Sequence, residues 1–367
     1  MTLILNNVYA DLKVFMACLS MIIRSLVIWS LFFPYLVFAQ QFKVLNLDSL
    51  NQEISQGKYP NVDAIIIQRG ESILFEQYYN DFNAYSLHDT RSYFKSITSL
   101  LAGIAFDKQL IKLDDTLGNY FPELQDPEKR GIRIRHLLEM QSGFDCEEFY
   151  GNGPDCEDAM WATDDWIDFC LNVDKVRKSG LKWSYNSIDP MVVGEVIARA
   201  SGMTVMEFAR QFLFEPLGII DYRWTISPKG QGMTAGSFYM KPLDMLKIIN
   251  LVKQKGKWKG QQIISSEWIA ESTKCDIPID YSFAHYAKIP NAITESARYG
   301  LYWYREILRY DTINTEVLFA SGNGGQYMMW IPEYDLTGVF TGSNYGNWQG
   351  KLPSSILLKH VLPAIAQ

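Results

Sequence analysis

In residues 91–101, Arg-Ser-Tyr-Phe-Lys-Ser-Ile-Thr-Ser-Leu-Leu, a hydroxyl and an amine stand three positions apart as Ser92 and Lys95. On a helix that spacing puts both on one face, and a serine in the first turn lies beside unpaired backbone N–H groups and their partial positive charge. An amine that reaches the hydroxyl can take its proton, so Ser-x-x-Lys is a candidate nucleophile with its own base. The tetrapeptide recurs at Ser55 with Lys58 and at Ser179 with Lys182. Those copies run into Gly57 and Pro60, and into Gly180, which mark turns where no helix would hold lysine against serine.

A second chemical group is Tyr185, in Trp183-Ser184-Tyr185-Asn186-Ser187, between a glycine turn and a helix with Pro190 in its first turn. A nearby ammonium favours the charged form of an acid, so Tyr185 beside Lys95 could deprotonate Ser92 and later protonate a leaving group. The competing reading is a core tyrosine with a satisfied hydroxyl. A third element is Phe319-Ala320-Ser321-Gly322-Asn323-Gly324-Gly325-Gln326, a strand ending in a glycine-rich turn. Its backbone could approach a ligand closely and donate to a developing oxyanion together with the N–H of Ser92; a plain tight hairpin is the alternative. Asp145, in the polar and aromatic stretch that starts at Met140 and runs to Trp166, is a candidate substrate contact on a lid, set against a solvated surface loop.

These groups need elements to position them. Apolar residues at 93, 94, 97, 100, 101, 104 and 105 recur at helical spacing, which predicts a helix opening near Ser92. Before it, a helical lead at 47–56 precedes apolar runs at 64–68 and 73–79 that flank Arg69-Gly70-Glu71-Ser72 and read as a hairpin. After it come helical patterns at 134–140, 164–171, 188–200 and 204–213, then at 243–255 and 266–272. Strands are predicted at 299–307, 317–320, 326–331 and 336–341, with a closing helix at 352–365. Strands at both ends of the chain around a helical middle predict an α/β (α+β) fold. One antiparallel sheet is built from the two termini (40–91 and 235–367), with a mainly helical lobe inserted (92–234). A site at the lobe boundary would draw on both.

The 367 residues are 48% hydrophobic and 14% aromatic, enough for a large core. A net charge of −7 and a pI near 5.3, with no run of lysine or arginine, exclude a phosphate-tracking surface, so nucleic acid is not an expected partner. His88, His136, His285 and His360 form no metal-binding pattern, and no metal or organic cofactor is expected. Residues 21–39 read as a signal peptide: basic Arg24, an apolar run at 25–38, and Val37-Phe38-Ala39 before a cut at Gln40. The expected location is therefore periplasmic or secreted. The stretch 14–39 persisting as a membrane anchor is the alternative, and it would confine any membrane association to the N-terminus. A lipidated Cys18 fits poorly, because the apolar run follows it. Cys146 and Cys156 could close a short disulfide around a polar loop; with Cys170 and Cys275, three pairings or four reduced thiols stay open.

Arg91-Ser92-Tyr93-Phe94-Lys95-Ser96, Leu113-Asp114-Asp115, Ile134-Arg135-His136-Leu137-Leu138 before Ser142-Gly143, Tyr185-Asn186-Ser187 and Phe214-Glu215-Pro216-Leu217-Gly218 occur in that order. In this order they resemble the serine β-lactamase and penicillin-binding superfamily, class C-like branch, over roughly residues 60 to 345. The resemblance implies an acyl-enzyme on Ser92, with Lys95 and Tyr185 handling protons and Ser92 and Asn323 forming an oxyanion hole. It also implies a substrate site lined by Ser187, Ser321 and Gly322. Tyr-x-Ser at 185–187 looks like the variant of 6-aminohexanoate-dimer hydrolases and related esterases. Ala320-Ser321-Gly322 replaces the usual Lys-Thr-Gly or His-x-Gly, so the cation that would hold a β-lactam carboxylate is missing from that motif. The expectation is an exported serine hydrolase of amides or esters, acting on a small or peptide-like substrate. A D,D-peptidase or weak β-lactamase, or a silent binding protein on the same scaffold, is the alternative.

Overall fold

The computed structural model describes residues 45–148, 155–280, 282–287 and 289–366. The targeting segment expected at 21–39, and Cys18 before it, lie outside the described residues, as do 149–154 of the expected lid. From Val44 to Gln367 the chain forms one compact unit. Helix α1 (Asp48–Ser55) leads into the hairpin of β1 (Val62–Arg69) and β2 (Ser72–Tyr78), and Ala64 to Ile67 are fully buried in β1. A two-residue strand, β3 (His88–Asp89), then precedes a single 3₁₀ turn, Arg91–Tyr93, which runs into α2 (Phe94–Asp107). The sequence expected an α-helix from Ser92; its first turn is the tighter 3₁₀ form, frequent at helix starts. Every α2 residue from Phe94 to Ala105 is buried, so this helix is the spine of the core.

The helical middle follows, its larger pieces being α3 (Cys156–Trp161), α4 (Trp166–Asn172) and α5 (Ile188–Ser201). Helix α3 falls in the stretch read as a loop. Asp155 caps it, its carboxylate accepting from the N–H groups of Glu157 and Asp158. Then come β4 (Tyr222–Trp224) and β5 (Phe238–Met240), which join β3 in a small sheet ordered β3-β5-β4. Helix α6 (Pro242–Lys253), the hairpin of β6 (Lys257–Trp258) and β7 (Gln261–Gln262), and α7 (Ser266–Ser272) lead to the last strands. These are β8 (Ile277–Pro278), β9 (Ile293–Tyr299), β10 (Tyr304–Tyr310), β11 (Ile313–Gly322), β12 (Gln326–Ile331) and β13 (Leu336–Gly342).

The main sheet is eight-stranded among the described residues, ordered β2-β1-β13-β12-β11-β10-β9-β8. Its closing pair joins the two ends of the chain, β1 against β13 with Ile66 opposite Val339. That is the mixed α/β architecture the sequence pattern predicted. One expected strand, 299–307, is instead the end of β9, a turn, and the start of β10, with Tyr302 at a φ of 64°. An unbroken apolar run such as Tyr299 to Tyr304 carries no periodicity that would reveal a turn inside it.

Candidate active site

The first turn of α2 sets Lys95 Nζ 3.2 Å from Ser92 Oγ. The segment before β5 runs beside this helix and fixes the amine from the other side. Thr98 donates to the Thr234 carbonyl at 2.7 Å, and Lys95, one turn earlier, donates to the Ala235 carbonyl at 2.8 Å. The remaining neighbour of Nζ is Ser187 Oγ at 3.2 Å. A neutral amine has two hydrogens and one lone pair; with the hydrogens on Ala235 and Ser187, the lone pair is left for the Ser92 hydroxyl. Lys95 is 2% exposed, and that burial pushes its ammonium below the usual lysine range, against the pull of Glu157, Glu148 and Asp155.

Tyr185 is held by a zipper between two loops. Glu148 N–H donates to the Tyr185 carbonyl at 3.0 Å, and the Ser184 hydroxyl donates to the Cys146 carbonyl at 2.9 Å. On the far side, Asn186 Oδ1 accepts from Asp189 N–H at 2.8 Å in the first turn of α5. The tyrosine ring thereby lies over the amine, with Lys95 Nζ 4.9 Å from its centroid. Tyr185 also lines a cavity of about 410 Å³ with Ser321, His285 and Asn323. Ser92 lines a neighbouring cavity of about 220 Å³ with Asn323, Gly236 and the carboxylates of Glu148, Asp155, Glu157 and Asp158. Asn323 borders both.

The end of β11 reaches Ser92 because residue 322 is glycine: a Cβ there would fall 2.3 Å from the Thr90 carbonyl oxygen. This close approach brings Ser321, Gly322 and Asn323 to the cleft. Ala320 is 1% exposed and carries no charge, but His285 Nε2 lies 2.9 Å from Ser321 Oγ. Ser187 is brought to Lys95, yet it is fully buried and lines neither cavity. Asp145 is not brought in. Its backbone N–H is tied to the Asp174 carbonyl at 2.8 Å, it is only half-buried, and it lines neither cavity. Next to it the Cys146–Cys156 disulfide, with Cα atoms 5.8 Å apart, joins two segments whose following residues, Glu148 and Glu157, face the site. Cys170 and Cys275 are buried free thiols.

Sequence reasoning missed those two glutamates, the Ala235 carbonyl and His285. Ser187 N–H donates to Glu148 Oε1 at 2.6 Å, and Ser187 Oγ lies 2.9 Å from Glu148 Oε2 and 2.5 Å from Glu157 Oε2. Burial pushes the Glu148 carboxyl up to about 8, although Lys95 pulls it down. The available signal was the repeat of a cysteine followed by acidic residues, at Cys146-Glu147-Glu148 and Cys156-Glu157-Asp158. Nothing in the sequence around His285 marks it.

Serine, buried lysine and tyrosine converging beside a glycine-edged strand can perform acyl transfer: a hydroxyl attacks a carbonyl while a neighbouring base takes its proton. Known proteins resemble the chain in sequence and in fold. The chain is 24% identical over 220 residues to the 6-aminohexanoate-dimer hydrolase of Paenarthrobacter ureafaciens, covering 56% of each. It is 24% identical over 184 residues to a beta-lactamase of Escherichia coli (strain K12), covering 48% of this chain and 47% of that one. The chain thus spans about half the length of the curated relatives it matches. In fold it resembles a Bacillus anthracis protein provisionally named 6-aminohexanoate-dimer hydrolase, with a TM-score of 0.69 and 17% identity over 88% of this chain and 83% of that one. The family model described as Beta-lactamase matches residues 47–351, and the chain belongs to that family of hydrolases.

Proposed function

We propose that the protein is an exported serine hydrolase that cleaves an amide or ester bond through an acyl-Ser92 intermediate. The observation that carries this reading is the three-point seat of Lys95: two hydrogens committed to Ala235 and Ser187, and a third position on Ser92 Oγ at 3.2 Å. Lys95, assisted by Tyr185, takes the Ser92 proton as the hydroxyl attacks the substrate carbonyl. The backbone N–H groups of Ser92 and Asn323 receive the oxyanion, and Tyr185 gives its own hydroxyl proton to the leaving group while taking the one held on Lys95. Water, activated by the same pair, then releases the acyl group. The relative that acts on 6-aminohexanoate dimer makes a short linear amide the first natural-type substrate to try.

The test is turnover of p-nitrophenyl butyrate and labelling by a fluorophosphonate, with the adduct mapped by mass spectrometry. Wild type should show both and Ser92→Ala neither. Wild-type turnover in Ser92→Ala would refute the mechanism. A second reading, D,D-peptidase or weak β-lactamase, draws support from His285 beside Ser321, two polar side chains at the cleft that offer hydrogen bonds to a substrate carboxylate. Stable labelling by a fluorescent penicillin that Ser92→Ala abolishes would favour it.

A further inference from the structure

Ser187 has one hydroxyl hydrogen and three hydrogen-bonding neighbours. Lys95 Nζ, 3.2 Å away, has its lone pair or third hydrogen on Ser92 and so donates to Ser187 Oγ. The other two neighbours are carboxyl oxygens, Glu148 Oε2 at 2.9 Å and Glu157 Oε2 at 2.5 Å. An ionised carboxylate only accepts, and the hydroxyl can give its hydrogen to one of them. The other must bring a proton of its own, because two anions facing one hydroxyl oxygen leave a bare oxygen–oxygen contact. Glu148 is 1% exposed whereas Glu157 is half-buried, so the deeper carboxyl is the one that stays protonated.

We infer that Glu148 and Glu157 hold one proton between them through the Ser187 hydroxyl, and that this pair, carrying a single negative charge, orients Lys95 and keeps it able to accept the proton of Ser92. The inference rests on the reading of Lys95 as base and names two positioning residues for it. In the active form the Glu148 acid donates to Ser187 Oγ, and the Ser187 hydroxyl donates to the Glu157 carboxylate. Glu148 Oε1 meanwhile accepts the Ser187 N–H at 2.6 Å. When Glu148 loses its proton to solvent, nothing on Glu148 Oε2 is left to donate to Ser187 Oγ, the two oxygens repel, and Ser187 no longer holds the Lys95 amine in line with Ser92. The groups around Glu148 come from every packed element: Arg91 in the turn before α2 and Lys95 on it, Asp155, Glu157 and Asp158 at the start of α3, the Cys170 thiol on α4, and Tyr185 with Ser187 before α5.

The experiment is the pH profile of kcat/KM for p-nitrophenyl butyrate, read from pH 5.5 to 9.5 in wild type, Glu148→Gln, Glu157→Gln and Glu148→Ala. Wild type should lose activity on the alkaline side with a midpoint near 8. Glu148→Gln fixes the pair at one negative charge and Glu157→Gln allows it at most one; each should keep neutral-pH activity within a few-fold, while its alkaline fall moves up by at least about one pH unit. Glu148→Ala, which removes the donor to Ser187, should lose on the order of 10-fold or more at pH 7. Unmoved profiles in both glutamine variants would overturn the inference, and so would a Glu148→Gln enzyme as poor as Glu148→Ala. If Ser92→Ala keeps wild-type turnover, the underlying mechanism falls instead, and the two failures are told apart.

Discussion

Lys95 is a basic side chain placed where charge is costly, 2% exposed and with its ammonium pushed below the usual range by burial. A side chain kept for its charge alone would be replaceable by arginine, which stays protonated in proteins. A base is not replaceable in that way. Lys95→Arg should therefore be as inactive as Lys95→Ala, each down by on the order of 10² or more in kcat, and Tyr185→Phe should fall in the same range. Steady-state kinetics on p-nitrophenyl butyrate check this, and a Lys95→Arg enzyme with a tenth or more of wild-type activity would show that a fixed charge suffices. Ser92 and Lys95 were legible in the sequence because one element, a helix, sets their separation. Tyr185 was legible by its motif. Glu148 and Glu157 were not, because a disulfide and a cross-loop zipper bring them in, and neither leaves a period in the sequence.

At the scale of elements, the reactive groups sit on α2 and on what is pressed against it. Trp268 of α7 lies across α2 at Gly103, where a Cβ would come 2.3 Å from its ring, and its Nε1 donates to the Ser99 carbonyl at 3.0 Å. Gly103→Ala must displace that ring. It should cost roughly 1–3 kcal/mol by overpacking, seen as a lowered melting temperature, with ester turnover reduced as α2 shifts. The disulfide acts on the other wall of the site. Cys146 and Cys156 stand ten residues apart, a loop whose closure contributes about 3 kcal/mol in the chain-entropy account. The double variant Cys146→Ser/Cys156→Ser should melt several degrees lower and lose activity at pH 7 about as Glu148→Ala does, since both carboxyls hang on that link. A variant with full activity would mean that the Glu148 N–H to Tyr185 carbonyl bond, at 3.0 Å, holds the loop unaided. Sequence pattern found α2 by the helical spacing of its large apolar residues, and the hairpin at 62–78 by two apolar runs around a glycine turn. It ran β9 and β10 together because both sides of their turn are apolar.

Across the whole molecule, three buried carboxyls far apart in the chain share one property. Burial pushes Glu148 up to about 8, Asp189 on α5 up to about 7, and Glu306 on β10 up to about 7. Glu306 accepts from the His285 and Tyr286 N–H groups at 2.7 and 3.2 Å, so it ties the loop before β9 to the sheet. In the unfolded chain such carboxyls ionise near 4, so from there up to about pH 7 for Asp189 and Glu306, and about 8 for Glu148, the folded state binds more protons than the unfolded one. Stability must then fall as pH rises through that window, by about 1 kcal/mol per pH unit for each carboxyl while it stays protonated only in the fold. Between about pH 4 and 6.5, His88 works with the opposite sign: burial pushes it down to about 4, so protonation of the unfolded chain near 6.5 removes stability as pH drops. The melting temperature should accordingly decline from pH 6.5 to about 8 and then level, the reverse of a fold held by salt-bridged carboxylates. Asp189→Asn, which keeps the shape but has no proton to lose, should flatten part of the decline. Thermal melts at half-unit pH steps decide it: a melting temperature level or rising across that window would mean that these carboxyls are ionised in the fold, and the pairing drawn for Ser187 would lose its proton.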